Sequence, residues 1–73
     1  MTAGYEYYYV NDNAQPNGEH EVHKSDCARL ALVNSKTYVG YYDNCKDAVR
    51  EAKNNHYANS DGCYYCCRAC HTR

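Results

Sequence analysis

The 73-residue chain contains no phenylalanine and no tryptophan, and its single methionine is the first residue. Its large aliphatic side chains are limited to two leucines and five valines, so ten tyrosines supply most of the remaining bulk. So few apolar residues cannot be divided between two cores, and we predict one domain over residues 1–73. Cores of this size rarely supply more than about 3–5 kcal/mol, and such domains usually add disulfides, a metal or a partner.

Targeting signals and strong net charge are also missing. Residues 1–6 lack the basic start and the apolar run of a secretory signal, and no segment has the length of a membrane span. We therefore expect a cytoplasmic protein without a membrane span, where cysteine clusters are more often metal ligands or catalytic groups than disulfides. The net charge of −1 provides no global field for a polyanion, so nucleic-acid binding would require a local basic patch.

Cysteine is what the sequence does contain, with six residues in all and four of them in the last dozen positions. Cys63-x2-Cys66 has the spacing of a zinc knuckle, in which two thiolates on a tight turn chelate one ion. His23-x3-Cys27 is the upstream pair that can complete a tetrahedral Cys3His shell. We predict a zinc ion bound by these four residues, with a disulfide framework of 15 possible pairings as the alternative.

Neighbouring residues leave the ligand set open. Cys67-x2-Cys70 overlaps the knuckle, and Cys70 and His71 either replace the upstream ligands or support the site from a second shell. Cys45 falls in the first turn of a predicted helix, where a thiolate is stabilised, but we favour a packing role over a nucleophile. His20 shares a strand face with Val22 and is expected to be partly buried with its hydrogen bonds satisfied.

Hydrophobic periodicity predicts three strands and one helix. The strands cover residues 5–10, 19–23 and 36–42, and the helix runs from about residue 45 to residue 57. Pro16-Asn17-Gly18 predicts a turn that makes the first two strands antiparallel. Residues 28–33 are either one helical turn or an extended run. The expected fold is α+β: a small antiparallel sheet of about three strands with one helix packed on it, stabilised by metal.

The predicted helix has an apolar and a basic face. Asp43 or Asn44 can cap its start. The apolar stripe consists of small residues and is expected at Cys45, Ala48, Val49, Ala52 and His56.

The basic face suggests a possible nucleic-acid surface. Lys46, Arg50 and Lys53 share one side of the helix, and Arg68 and Arg73 follow later in the chain. With surface tyrosines they could bind single-stranded nucleic acid, although such charges are usually only the solvated side of a helix.

The chain resembles the small zinc domain of Ada-type methyl-phosphotriester repair proteins. The resemblance covers about residues 22–66 and rests on His23-x3-Cys27, a strand over residues 34–38, a helix over residues 48–52 and Cys63-x2-Cys66. It implies a bound zinc ion. In that family the first residue of the upstream pair is a cysteine that accepts the methyl group, whereas this chain has His23, which argues against alkyl transfer. The whole chain is also similar to small cysteine-rich bacterial proteins, which implies no activity.

The sequence thus favours a structural-zinc module without enzymatic activity that binds a protein partner of unknown identity. A thiol-dependent enzyme or alkyl acceptor using Cys45, Cys67 or Cys70 is one alternative. Single-stranded nucleic-acid binding and a secreted disulfide-bonded peptide are the others.

Overall fold

The computed structural model describes residues 4–72, so Arg73 of the predicted basic surface lies outside it. One helix packs on a four-stranded sheet, which confirms the α+β class with one strand more than predicted. The strands are β1 (Glu6–Asn11), β2 (His20–Lys24), β3 (Lys36–Tyr42) and β4 (Ser60–Gly62), and the helix is α1 (Cys45–Asn55). The sheet order is β3-β1-β2-β4, antiparallel except for the parallel pair β2–β4. Within residues 4–72, no helix is long and apolar enough to cross a membrane.

The β1–β2 hairpin forms where the sequence predicts it. Gly18 has a φ of +88°, and its N–H donates to the carbonyl oxygen of Gln15 at 2.7 Å. Glycine adopts this left-handed conformation without the penalty that a Cβ imposes. The predicted turn therefore returns the chain antiparallel to β1.

Side chains of β1 alternate between two different environments. Tyr8 and Val10 are buried against α1, while Tyr5 and Tyr7 on the opposite face are exposed. The pairing of β1 with β3 shifts register between Tyr8 and Tyr9, opposite Gly40, as a β-bulge does. One face of the sheet therefore carries the helix, and the other carries exposed tyrosines.

Helix α1 begins as predicted and ends earlier. The Asn44 side chain accepts a 2.8 Å hydrogen bond from the Asp47 N–H, which is the expected cap. Ala48, Val49 and Ala52 are buried, as the stripe predicts. His56 is exposed, so its place in the stripe was wrong, because the helix ends at Asn55 and the backbone turns away at His56.

Tyr57 packs after the helix end, on the edge of the sheet. Its ring stacks on His20 with 3.8 Å between centroids, and its hydroxyl donates to the Asp12 carboxylate at 3.0 Å. The His20 Nδ1 atom lies 2.8 Å from the Asn11 carbonyl oxygen. The interpretation of His20 as a satisfied, partly buried histidine is confirmed.

Strand β4, Ser60-Asp61-Gly62, has the composition of a turn and is the strand that the sequence does not predict. All three residues are buried, and they pair in parallel with His20, Glu21 and Val22. The buried Asp61 carboxylate accepts hydrogen bonds from the N–H and hydroxyl of Thr72. Because these bonds satisfy the buried carboxylate, a polar residue is tolerated in this strand.

Gly62 permits the C-terminal segment to cross β4 at close range. A Cβ at this position would lie 2.8 Å from both the Cys67 carbonyl oxygen and the Cys70 Cβ, whereas a Cβ at Gly40 would meet the movable ring of Tyr42. We expect Gly62→Ala to lower the free energy of unfolding by about 2 kcal/mol, since backbone atoms must move. Gly40→Ala, the matched control, should cost about 1 kcal/mol or less. Equal losses in urea unfolding would contradict the close-crossing explanation.

Candidate metal centre

Four ligand-type side chains meet at one end of the β2–β4 pair. The ligand atoms of His23, Cys27, Cys63 and Cys66 all lie within 4.8 Å of one another. Val22 pairs with Gly62, so the next residues, His23 within β2 and Cys63 just after β4, lie side by side at the same end of the two strands. The turn after each strand then contributes the second residue of each pair. The cluster can hold a metal ion, and it contains the four residues that the sequence predicts as ligands.

The spacing of the sulfur atoms fits an ion between them. The Sγ atoms of Cys27 and Cys63 are 3.9 Å apart. Two thiolates bound to zinc at about 2.3 Å in tetrahedral geometry stand about 3.8 Å apart. The cluster therefore has the dimensions of a tetrahedral thiolate site.

His23 is the residue that most needs a further partner. It is 1% exposed, and neither ring nitrogen has a hydrogen-bond partner. Burial lowers the pKa of the His23 imidazole, so the ring is kept neutral, which is the form that binds metals. Its Nε2 atom lies 3.7 Å from the Glu21 carboxylate, a distance suited to a supporting group outside the ligand shell. An ion would provide the missing partner of a buried polar ring.

Without an ion, burial also disfavours the charged thiolate form of the cluster cysteines. It is the main cause that raises the pKa of Cys63 to about 12, and it likewise raises the pKa of Cys27. The pKa of Cys66 is raised as well, first by its contact with Cys67 and then by burial. A bound cation reverses this preference because a coordinating thiol is deprotonated.

Backbone N–H groups are arranged to stabilise these sulfurs as thiolates. The Lys24 N–H donates to the Cys66 sulfur at 3.3 Å, and the Tyr65 N–H donates to the Cys63 sulfur at 3.4 Å. Hydrogen bonds from the backbone of Arg29 oppose the raised pKa of Cys27. Such donors favour the charged form of a ligand, so the turns are already shaped for thiolates.

The structure separates the alternative ligands from the cluster. Cys45 and Cys70 form a disulfide, which replaces their predicted alternative roles as ligands because a disulfide sulfur is not a thiolate. His71 instead faces the carbonyl oxygen of Gly62 at 3.0 Å and the carboxylate of Asp61 at 3.5 Å. The disulfide also removes Cys45 and Cys70 as free nucleophiles in this state.

Cys67 lies beside the cluster without belonging to it. Its sulfur is 3.9 Å from that of Cys66, but the side chain is buried in the core beneath α1. Cys66 contacts that core and also the small cluster formed by Cys27, Leu30 and Cys63 on the other face of the sheet. The two adjacent cysteines therefore lie in different environments: Cys66 belongs to the ligand cluster, and Cys67 belongs to the core beneath α1.

The sequence interpretation kept disulfides only as an alternative and did not identify the Cys45–Cys70 pair. The expectation of a reducing compartment weighed against any cysteine pairing, and no local spacing links positions 45 and 70. The one available signal was that Cys45 belongs to the helix stripe, whose partners must come from a distant segment. Comparison with known proteins adds no assignment, since no family model, curated protein or solved structure matches the chain. The resemblance to the repair-protein zinc domain remains a prediction.

Proposed function

We propose that this protein is a structural-zinc module that acts by binding another protein. The observation that carries the proposal is the buried cluster of His23 with three cysteines, in which neither ring nitrogen of His23 has a hydrogen-bond partner. Three thiolates and an imidazole are soft and borderline ligands, which favour zinc over magnesium or calcium. Four protein ligands leave no open position for a substrate, so the ion belongs to the fold.

The structural role follows from where the cluster lies. On the face of the sheet opposite α1, the buried hydrophobic residues among residues 4–72 form a small group, Cys27, Leu30 and Cys63. Tyr9 and Val33 pack against this group from its edge. So little apolar area stabilises the loops after β2 and β4 only weakly. A tetrahedral ion would crosslink residues 23–27 to residues 63–66.

Exposed tyrosines on the face of the sheet opposite α1 support a partner-binding role. Tyr5, Tyr7, Tyr38 and Tyr41 are each 45–52% exposed. Their rings form a continuous ladder with neighbouring centroids 4.7–6.3 Å apart. Tyrosine is enriched at protein interfaces because its ring buries a large area while its hydroxyl remains able to hydrogen bond.

A thiol enzyme is less well supported by the same geometry. The cluster thiols have raised pKa values because they are buried or in contact with another thiol, whereas reactive cysteines have lowered values and partial exposure. Cys67 has a lowered pKa through its hydrogen bond with Cys66, but its side chain is 2% exposed. Neither set of thiols offers an accessible thiolate.

Native mass spectrometry tests the proposal directly. We expect the protein purified without added chelator to contain one zinc ion per chain, and cobalt substitution to give the absorption bands of a tetrahedral thiolate complex. The same spectrum reports the Cys45–Cys70 bond through the loss of two hydrogens. A folded chain that contains no metal and does not take up cobalt would reject the zinc proposal.

A further inference from the structure

A groove runs between α1 and the C-terminal segment, on the opposite side of the sheet from the metal cluster. Its volume is about 410 Å³, within the range of small-molecule sites. One wall is α1, and the other is the C-terminal segment around residues 69–72, which the Cys45–Cys70 disulfide links to α1. The lining residues are Lys46, Val49, Arg50, Lys53, Asn54, Ala69, Cys70 and Thr72.

The charge of this groove has one sign. Lys46, Arg50 and Lys53 line it from successive turns of the helix, and no acidic side chain is among the lining residues. Arg50 pairs with Asp47 beside the groove. Among residues 4–72, neither Lys46 nor Lys53 forms an ion pair within 4 Å. The ammonium groups of Lys46 and Lys53 are therefore available to bind an anion that enters the groove.

The remaining lining is apolar or neutral. Val49, Ala69 and Cys70 contribute apolar surface, while the Thr72 hydroxyl already donates to the Asp61 carboxylate. A small inorganic anion would leave this surface uncovered. A ligand with an apolar body and one anionic group would match both parts of the groove.

We propose that this groove binds an organic phosphate of about mononucleotide size, with the phosphate at Lys46 and Lys53 and the apolar body against Val49 and Ala69. The site shares no residue with the metal cluster, so it goes beyond the proposed zinc module. Loss of zinc binding and loss of phosphate binding are therefore separately observable.

Amide chemical-shift titration of the zinc-loaded, disulfide-bonded protein tests the site. The probes are adenosine monophosphate, inorganic phosphate and adenosine, each at low salt. We expect the monophosphate to bind about tenfold more tightly than either of the others, with shifts at Lys46, Lys53, Ala69 and Thr72. Affinity should fall several-fold when salt is raised to about 0.2 M, because exposed charges are screened.

Charge-removing variants make the assignment specific. The double variant Lys46→Gln with Lys53→Gln should weaken monophosphate binding at least about tenfold. Lys36→Gln, on β3 and outside the groove, is the matched control and should change affinity less than about twofold. Adenosine binding as tightly as the monophosphate, no shifts up to about 10 mM, or tighter binding of an oligoglutamate peptide would each overturn the proposal.

Discussion

Cys63→Ser is expected to leave the protein largely unfolded at 37 °C, whereas Cys67→Ser is expected to stay folded and to retain its metal. Structural zinc sites contribute apparent binding free energies of about 10–16 kcal/mol, against the few kcal/mol that a core of this size supplies. Serine at position 63 removes a ligand from the cluster, while Cys67 lies outside it. Circular dichroism melts with metal analysis of the same samples would measure the difference.

Chelation provides the second arm of this experiment. Removing zinc from the wild-type protein should reproduce the melt of Cys63→Ser, and adding zinc back should restore only the wild type. Cys67 is the appropriate control because it is also a buried cysteine, and its sulfur lies 3.9 Å from that of Cys66. Similar melting temperatures for the two variants, or a chelated protein as stable as the loaded one, would rule out a structural ion.

Removing the Cys45–Cys70 disulfide with the double variant Cys45→Ser and Cys70→Ser is expected to lower the free energy of unfolding by about 3.5 kcal/mol. The reason is chain entropy, because the bond closes a loop of 25 residues in the unfolded state. Urea unfolding of the zinc-loaded proteins under non-reducing conditions would measure the loss.

A reductant distinguishes this effect from damage to the core. It should destabilise the wild-type protein by a similar amount and leave the double variant unchanged, with one zinc ion retained in both. Metal loss from the double variant would show instead that the Cys45–Cys70 disulfide and the metal centre are coupled. A double variant as stable as the wild type would mean that the bond adds nothing to the fold.

Local patterns were enough to predict much of the fold. The Pro16-Asn17-Gly18 turn located the β1–β2 hairpin, and the cap at Asn44 and the small-residue stripe located α1. The four candidate ligands were also predicted, because two short motifs with metal-ligand spacing occur in a chain too small to fold on its apolar residues alone. Each of these inferences depends on residues close together in sequence, where backbone geometry fixes which side chains share a face.

Which distant segments meet depends on long-range contacts that local patterns do not reveal. Ser60-Asp61-Gly62 has the local chemistry of a turn, yet it pairs with β2 because long-range contacts outweigh propensity over three residues. That pairing brings Cys63 beside His23. The crossing over Gly62 then sends Cys70 to Cys45 and His71 to Asp61, away from the cluster. Local motifs therefore identify the residues that can bind a metal, and the parallel β2–β4 pair brings four of them close enough to do so, because only a long-range contact places His23 beside Cys63.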